Sequence, residues 1–246
     1  MELKRVVVTG LGALTPIGNT APAFWAALLE GRSGAGPITR FDASKFKTQF
    51  ACEVKDLNVE DFIDRKESRR MDRCTHLGLI AAEEAVADSG LEASNPNKDR
   101  VGVIWGSGIG GLDTFTEEFG NYFKGDENPR FNPFFIPKMI ADICGGYVSM
   151  KYGYRGPNYT TVSACASSTN AVIDALMLIR LGKADAIIAA ADAEARSIVA
   201  TAQIAAAREI AQATEATVKI SAERDSVDVY LKNLRAVLDG AGKPRS

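Results

Sequence analysis

Histidine is nearly absent from this sequence, because the 246-residue chain contains only His76. A mechanism that needs two histidine side chains cannot be completed by this chain alone. An excess of positive charge is also lacking, since 29 lysines and arginines are set against 31 aspartates and glutamates. Phosphate contacts require basic side chains in excess, so this balance argues against nucleic acid as a partner.

Long apolar runs are lacking as well. No stretch approaches the roughly 20 apolar residues of a membrane-spanning helix, and the opening MELKRVVVTG has no signal-peptide apolar region. We therefore expect no membrane partner and a cytoplasmic location. The four cysteines are not spaced as a metal-ligand cluster, so we expect no metal site and reduced thiols, although four cysteines also permit disulfides. They are Cys52, Cys74, Cys144 and Cys165.

Turn-forming and aromatic residues become scarce toward the C-terminal end. Beyond residue 182 the only glycines are Gly240 and Gly242, and the only aromatic residue is Tyr230. Alanine, the best helix former, is abundant there. We predict a helix over 192–216 and an amphipathic helix over 227–238. The chain then divides into 1–190 and a helical tail, 191–246, of unknown origin, which either packs on the first part, forms a coiled coil or stays mobile.

Strand and helix patterns alternate within 1–190. The strands are predicted at 4–9, 48–54, 101–105, 159–164 and 184–190, and the helices at 22–30, 66–89, 111–124, 138–151 and 166–181. In the longest helix, Leu77, Ile80, Ala81 and Ala85 share one face. This alternation predicts an α/β layered fold with a mixed, largely parallel sheet and helices on both faces.

Cys165 lies where a β-rich run, TTVSA, meets a helical run, SSTNAVIDALMLIRLG. At a helix N-terminus, unpaired N–H groups and the positive end of the macrodipole favour a thiolate. A sharp strand-to-helix turn also raises the side chain off the sheet, where backbone N–H groups can form half of an oxyanion hole. The junction predicts a nucleophile, with a buried structural cysteine as the alternative.

The segment GPNYTTVSACASSTNAVIDALMLIRLGKADAII resembles the active-site segment of the β-ketoacyl-acyl-carrier-protein synthases. Other segments that resemble this family occur in the expected order: VVVTGLGALTPIGN, RKESRRMDRCTHLGLIAAEEAVADSGL, VGVIWGSGIGGLDTF and NPFFIPKMIADICGGYVSMKYGYRGPN. The resemblance covers about residues 3–190. It is greatest to the type II condensing enzymes of fatty-acid synthesis.

The resemblance implies a thiolase-like layered fold, of which residues 1–190 form the N-terminal half. It implies a 3-oxoacyl-carrier-protein synthase in which Cys165 accepts an acyl chain. Malonyl carrier protein then loses CO₂ and attacks that thioester. Acyl carrier protein, in acyl and malonyl forms, is the implied partner and a dimer the implied assembly. No cofactor is implied, because the 4′-phosphopantetheine arrives on the carrier protein.

The resemblance also implies site residues and a gap. Ile109 matches the residue that closes the bottom of the acyl pocket. Phe134 and Phe135 match a pocket-lining segment near the dimer interface, for which ordinary core packing is the alternative. The family's catalytic histidines, lysine and second oxyanion-hole amide lie beyond the matched part. His76 matches no catalytic position, so we interpret it as structural or surface-exposed.

Three hypotheses follow from the single histidine. The first is a synthase chain that has its nucleophile but does not condense by itself. The second is a non-catalytic partner subunit or carrier-protein-binding module that pairs with a complete synthase. The third is acyl transfer alone, in which Cys165 passes its acyl group to water or to another thiol.

Overall fold

The computed structural model of this protein describes residues 4–125 and 130–191. Its helices are α1 (Ala21–Leu29), α2 (Arg65–Ser68), α3 (Arg73–Ser89), α4 (Leu112–Lys124), α5 (Phe135–Met139), α6 (Ile143–Tyr152) and α7 (Ser167–Arg180). Its strands are β1 (Ala35–Pro37), β2 (Phe50–Cys52), β3 (Val101–Gly106), β4 (Asn158–Thr161) and β5 (Ala186–Ala191). The helices predicted at 192–216 and 227–238 lie outside the described residues.

Strand β3 forms the centre of a three-stranded parallel sheet with the order β4-β3-β5. Val103 is in register with Asn158 of β4, and Val101 is in register with Ala186 of β5. Every residue of β3 is buried. A continuous apolar run of this kind is typical of a parallel strand that is covered on both faces.

Helices cover both faces of this sheet. On one face, Val103 and Trp105 join a core that includes Leu79 of α3 and Val148 of α6. On the other face, Ile104 packs with alanines of α7. Successive strand side chains point to opposite faces, so one strand anchors both layers. The predicted α/β class, with a largely parallel sheet between helices, is confirmed.

The strand predicted at 4–9 is wrong. Residues 4–14 have no strand structure, and Val7 and Val8 are 57% and 79% exposed. Within the described ranges, no strand pairs with this segment, and an unpaired segment cannot satisfy strand hydrogen bonds. The backbone amides that follow it bond to α3 instead: Leu11 N–H donates to Asp88 at 2.9 Å and Ala13 N–H to Glu84 at 2.8 Å.

The helix predicted at 66–89 is two helices, α2 and α3, because Asp72 has an extended backbone and caps α3 by accepting a hydrogen bond from Cys74 N–H at 3.0 Å. On the predicted face, Ile80 is buried in the core, and Leu77 and Ala81 pack against that core while half-buried. The other buried positions of α3 lie beside this face: Thr75, Leu79, Ala82 and Val86.

Two other predictions need shorter bounds. The helix predicted at 138–151 begins at Ile143, because Ile140 is extended and ends the short helix α5. The strand predicted at 48–54 is β2, which pairs antiparallel with the unpredicted strand β1. The remaining strands and helices of 1–190 are confirmed with their ends moved by a few residues.

Candidate active site

Cys165 lies on a tight turn between strand β4, which ends at Thr161, and helix α7, which begins at Ser167. The preceding residue, Ala164, has φ of 49°, in the left-handed region that alanine rarely adopts. Such backbone strain costs on the order of 1–3 kcal/mol and persists only where surrounding contacts hold it. The turn is therefore a strained elbow, and the Cys165 side chain on it is exposed.

A set of short hydrogen bonds holds the elbow. The Ser167 hydroxyl donates to Ala164 C=O at 2.7 Å and accepts from Ser163 N–H at 2.9 Å. Asn170 Nδ2 donates to Ser163 Oγ at 2.6 Å. Thr161 Oγ1 donates to Ser167 C=O at 2.7 Å, which joins the end of the strand to the start of the helix. These bonds fix the backbone on both sides of the cysteine.

Gly106, at the end of β3, brings the sheet close to the start of α7. A Cβ atom at Gly106 would lie 2.6 Å from both the N and Cα atoms of Ser168. No side chain fits in that space, so only glycine allows the strand end to pack directly beneath the elbow. The central strand thereby supports the turn that carries Cys165.

Two backbone amides of the elbow are already used. Ala166 N–H donates to Ser163 C=O at 3.0 Å, and Ser167 N–H donates to Ala164 C=O at 3.1 Å. An oxyanion formed at the cysteine therefore has to draw on another donor. The N-terminus of α7 still directs the positive end of its macrodipole toward this turn.

An apolar cleft of about 340 Å³ opens beside the start of α4. One wall comes from the end of the β3–α4 loop and from α4, and the other comes from the end of α5 and the link to α6. Its lining residues are Ile109, Gly111, Leu112, Phe115, Met139, Ile140 and Ala141. The volume falls at the small end of the range for ligand pockets. The structure thus places Ile109 in an apolar cleft, with its side chain 67% exposed.

Phe134 and Phe135 do not line this cleft. The Arg70 guanidinium lies 5.1 Å from the ring centroid of Phe134, within cation–π range. Phe135 stacks on Phe131, with centroids 5.4 Å apart, and contacts Phe119 at 6.0 Å. Phe119 in turn contacts Phe115 of the cleft at 4.6 Å. Phe135 is therefore connected to the cleft through two rings.

His76 has a structural environment. Its Nε2 lies 2.9 Å from Ser68 C=O and 3.2 Å from Ser68 Oγ, so it joins α3 to the end of α2. Burial lowers the pKa of His76, and the Ser68 carbonyl opposes this effect only in part. A largely neutral imidazole bonded to backbone fits the structural interpretation.

Several residues of the site are not predicted from the sequence. Leu112 and Phe115 are three residues apart on α4, so their side chains lie on the same face of that helix, and both line the cleft. This spacing is the sequence signal that could have identified them as a pair. Asp72 was also missed, although an aspartate ahead of a helical run is a capping signal. Its second role, hydrogen bonding to Thr114, joins residues 42 positions apart and leaves no local pattern.

The described residues contain no group of three or more histidine, cysteine, aspartate or glutamate side chains arranged to hold a metal ion. Cys52, Cys74, Cys144 and Cys165 form no disulfide in the part of the chain that the structure describes. Of the helices in residues 4–125 and 130–191, none is both long enough and apolar enough to cross a membrane.

The chain is similar to several known proteins. The chain is 48% identical over 189 residues to a 3-oxoacyl-[acyl-carrier-protein] synthase 2 of Synechocystis, covering 76% of this chain and 45% of the relative. It is 46% identical over 186 residues to a protein of the same name from Staphylococcus aureus, covering 75% and 44% respectively. The chain therefore spans less than half the length of these relatives.

The solved structure of the ishigamide ketosynthase/chain length factor matches with a TM-score of 0.69 and 28% identity. The matched region covers 74% of this chain and 46% of the chain in that solved structure. The fold and the elbow thus define a ketosynthase-type α/β protein. The family model "Beta-ketoacyl synthase, N-terminal domain" matches residues 3–230. This chain belongs to the β-ketoacyl synthase family, and the match extends past the boundary predicted at residue 190.

Proposed function

We propose that this chain carries the acyl-accepting part of a 3-oxoacyl-[acyl-carrier-protein] synthase, with Cys165 as its nucleophile. The Cys165 sulfur attacks the thioester carbonyl of an acyl carrier protein. A new carbon–sulfur bond forms, the bond to the phosphopantetheine sulfur breaks, and the thiol proton ends on the departing phosphopantetheine thiol. The strained, exposed elbow at the N-terminus of α7 is the observation that carries this proposal.

The elbow suits this chemistry for two physical reasons. Its hydrogen bonds hold the nucleophile in one place, and correct placement of reacting groups removes much of the entropic barrier. The macrodipole of α7 favours the negative charge of the tetrahedral intermediate. Because the amides of Ala166 and Ser167 are bonded within the turn, we assign the amide of Cys165 itself as the oxyanion donor.

We assign the acyl chain to the apolar cleft of Ile109, whose lining is almost entirely hydrophobic. Phe134 and Phe135 remain proposed pocket residues near a subunit interface, with Phe135 acting through Phe119 and Phe115. The partner is acyl carrier protein, named in both relatives. It delivers the phosphopantetheine, so no other cofactor takes part in the proposed transfer. We also propose a cytoplasmic location, since cysteines without disulfides are usual in that compartment.

Condensation needs a further step: malonyl carrier protein loses CO₂ and its carbanion attacks the Cys165 thioester, which regenerates the thiol. The only histidine of this chain is bonded to Ser68. General acid–base assistance is worth roughly 10²–10⁴-fold, and this chain offers no free histidine for it. We therefore propose that the 246-residue chain accepts an acyl group but does not extend it. The domain division at residue 190 also remains a proposal.

Intact-mass spectrometry after incubation with palmitoyl carrier protein tests the proposal. The wild-type chain should gain one palmitoyl group, and Cys165→Ala should not. Cys52→Ala is the matched control, because Cys52 is also an exposed thiol and should be dispensable. A gain that survives in Cys165→Ala, or no gain in the wild-type chain, would overturn the assignment.

One observation favours the alternative of a non-catalytic partner subunit. Four large apolar side chains are about half exposed. Three of them, Val172, Ile173 and Met177, lie on α7, and the fourth, Leu181, directly follows it. A contiguous apolar patch of this kind typically marks an interaction surface. Co-elution of this chain with a full-length synthase, together with no acylation of Cys165, would support the partner role.

A further inference from the structure

Asp72 is a buried carboxylate that the proposed chemistry does not use. It is 3% exposed and lies directly before α3. Its Oδ1 atom accepts from Cys74 N–H at 3.0 Å. Its Oδ2 atom accepts from Thr114 N–H at 2.8 Å and from Thr114 Oγ1 at 2.6 Å. One side chain therefore connects the first turn of α3 to the first turn of α4.

This carboxylate is held in its charged form. Burial by itself would raise the pKa of Asp72, but hydrogen bonds from Thr114 and Cys74 outweigh burial and keep the pKa below its ordinary value. Hydrogen bonds to a charged acceptor are stronger than those between neutral groups. The contact between Asp72 and Thr114 is thus a firm attachment for the start of α4.

The start of α4 is also a wall of the apolar cleft. Leu112 and Phe115, on either side of Thr114, line the cleft together with Ile109. The opposite wall is in direct contact, since Gly111 N–H donates to Met139 C=O at 2.9 Å. Gly110, with φ of +96°, passes so close that a Cβ atom would lie 2.4 Å from that oxygen. The α4 wall is therefore fixed between Asp72 on one side and Met139 on the other.

We propose that Asp72 is a positioning residue that sets the width of the Ile109 cleft and thereby selects the acyl-chain length that the cleft accepts. Asp72 does not line the cleft and acts through Thr114. The inference rests on the proposed function only in taking an acyl chain as the occupant. A fitted wall that moves by about the size of one methylene changes discrimination roughly tenfold or more.

The test is the ratio of dissociation constants for dodecanoic and hexadecanoic acid, measured with the full 246-residue chain. Ile109→Glu identifies the part of the binding signal that comes from the cleft. The variants are Asp72→Asn, Thr114→Val, which removes the hydroxyl donor, and Thr114→Ser, which retains it. Asp113→Asn is the matched control. Asp113 lies on the same turn of α4 as Thr114, but its carboxylate is exposed and pairs with Arg40.

We expect Asp72→Asn and Thr114→Val to bring the ratio of the two dissociation constants closer to one by at least about threefold. This change is smaller than the roughly tenfold effect of one methylene group in a fitted apolar pocket. Thr114→Ser and Asp113→Asn should keep the wild-type ratio. Equal weakening for both acids, an unchanged ratio, or no chain-length dependence in the wild-type chain would overturn the proposal. Fatty-acid binding needs no thiol chemistry, so a failure of Cys165 to become acylated would leave this result interpretable.

Discussion

Ser167 gives the sharpest prediction about the elbow. Its side chain is 2% exposed, and its hydroxyl makes two bonds to the turn, one to Ala164 C=O and one from Ser163 N–H. Ser167→Ala removes both side-chain bonds, although Ala164 C=O keeps its bond from the N–H of residue 167. Each lost bond is worth about 1 kcal/mol, and Ser163 and Ala164 are exposed, so water can replace the lost partners. We expect the free energy of unfolding to fall by about 1–2 kcal/mol.

The same substitution should slow the chemistry. Without the hydroxyl, the left-handed φ of Ala164 is held only by the backbone bonds of the turn, so we expect Ala164 to relax and Cys165 to move with it. A displacement of about 1 Å can cost roughly 10²-fold in rate, so we expect palmitoylation of Cys165 to slow at least about tenfold. The assays are urea unfolding by circular dichroism and an intact-mass time course.

Thr169→Ala is the control for this prediction, because Thr169 lies on the same first turn of α7 and is exposed. It should change the free energy of unfolding by less than about 0.5 kcal/mol and leave the acylation rate as it is. If Ser167→Ala behaved like Thr169→Ala in both assays, the Ser167 hydroxyl would have no role in holding the elbow.

Three further substitutions test the fold around the site. Gly106→Ala places a methyl group 2.6 Å from the Ser168 backbone. It should destabilise the chain by about 1–3 kcal/mol, seen as a lower Tm; an unchanged Tm would contradict the close packing. Arg100 holds the pKa of Asp185 at about 2, against an ordinary value of 3.8. The ionised Asp185 carboxylate therefore stabilises the folded state fully above about pH 4, and this contribution is lost as the pH falls toward 2. Asp185→Asn should make the free energy of unfolding fall less steeply between pH 4 and 2. An equally steep fall in the variant would show that the ion pair does not contribute. Met177→Glu puts a charge on the exposed apolar face of α7 and should raise the monomer fraction in sedimentation velocity. An unchanged distribution would show that this face does not mediate association.

The sequence predicts the centre of the fold because local pattern and tertiary environment agree there. The β3 residues Val101, Val103 and Ile104 form a continuous apolar run, and such a run is buried whatever its partners are. The junction at Cys165 is equally readable, since β-rich residues meet a helical run. The strain at Ala164 is not readable, because alanine gives no sign of a positive φ.

The failed predictions share a cause, which is dependence on a distant partner. Residues 4–9 have the composition of a strand, but a strand needs a neighbouring edge, and no described strand pairs with them. The helix at 66–89 divides because Asp72 leaves the helical conformation, caps α3 and contacts Thr114. The pocket role of Phe134 stays a prediction; its ring contacts Arg70, which is distant in sequence.

The elbow distinguishes Cys165 from the other three thiols, and we propose that it makes this residue the one that accepts an acyl chain. Peptide-level mass spectrometry of the wild-type chain after incubation with palmitoyl carrier protein tests this role most directly. We predict that the palmitoyl group is found on the peptide that contains Cys165 and not on the peptide of Cys52, which is also exposed. Equal labelling of both peptides, or labelling of Cys52 alone, would contradict it.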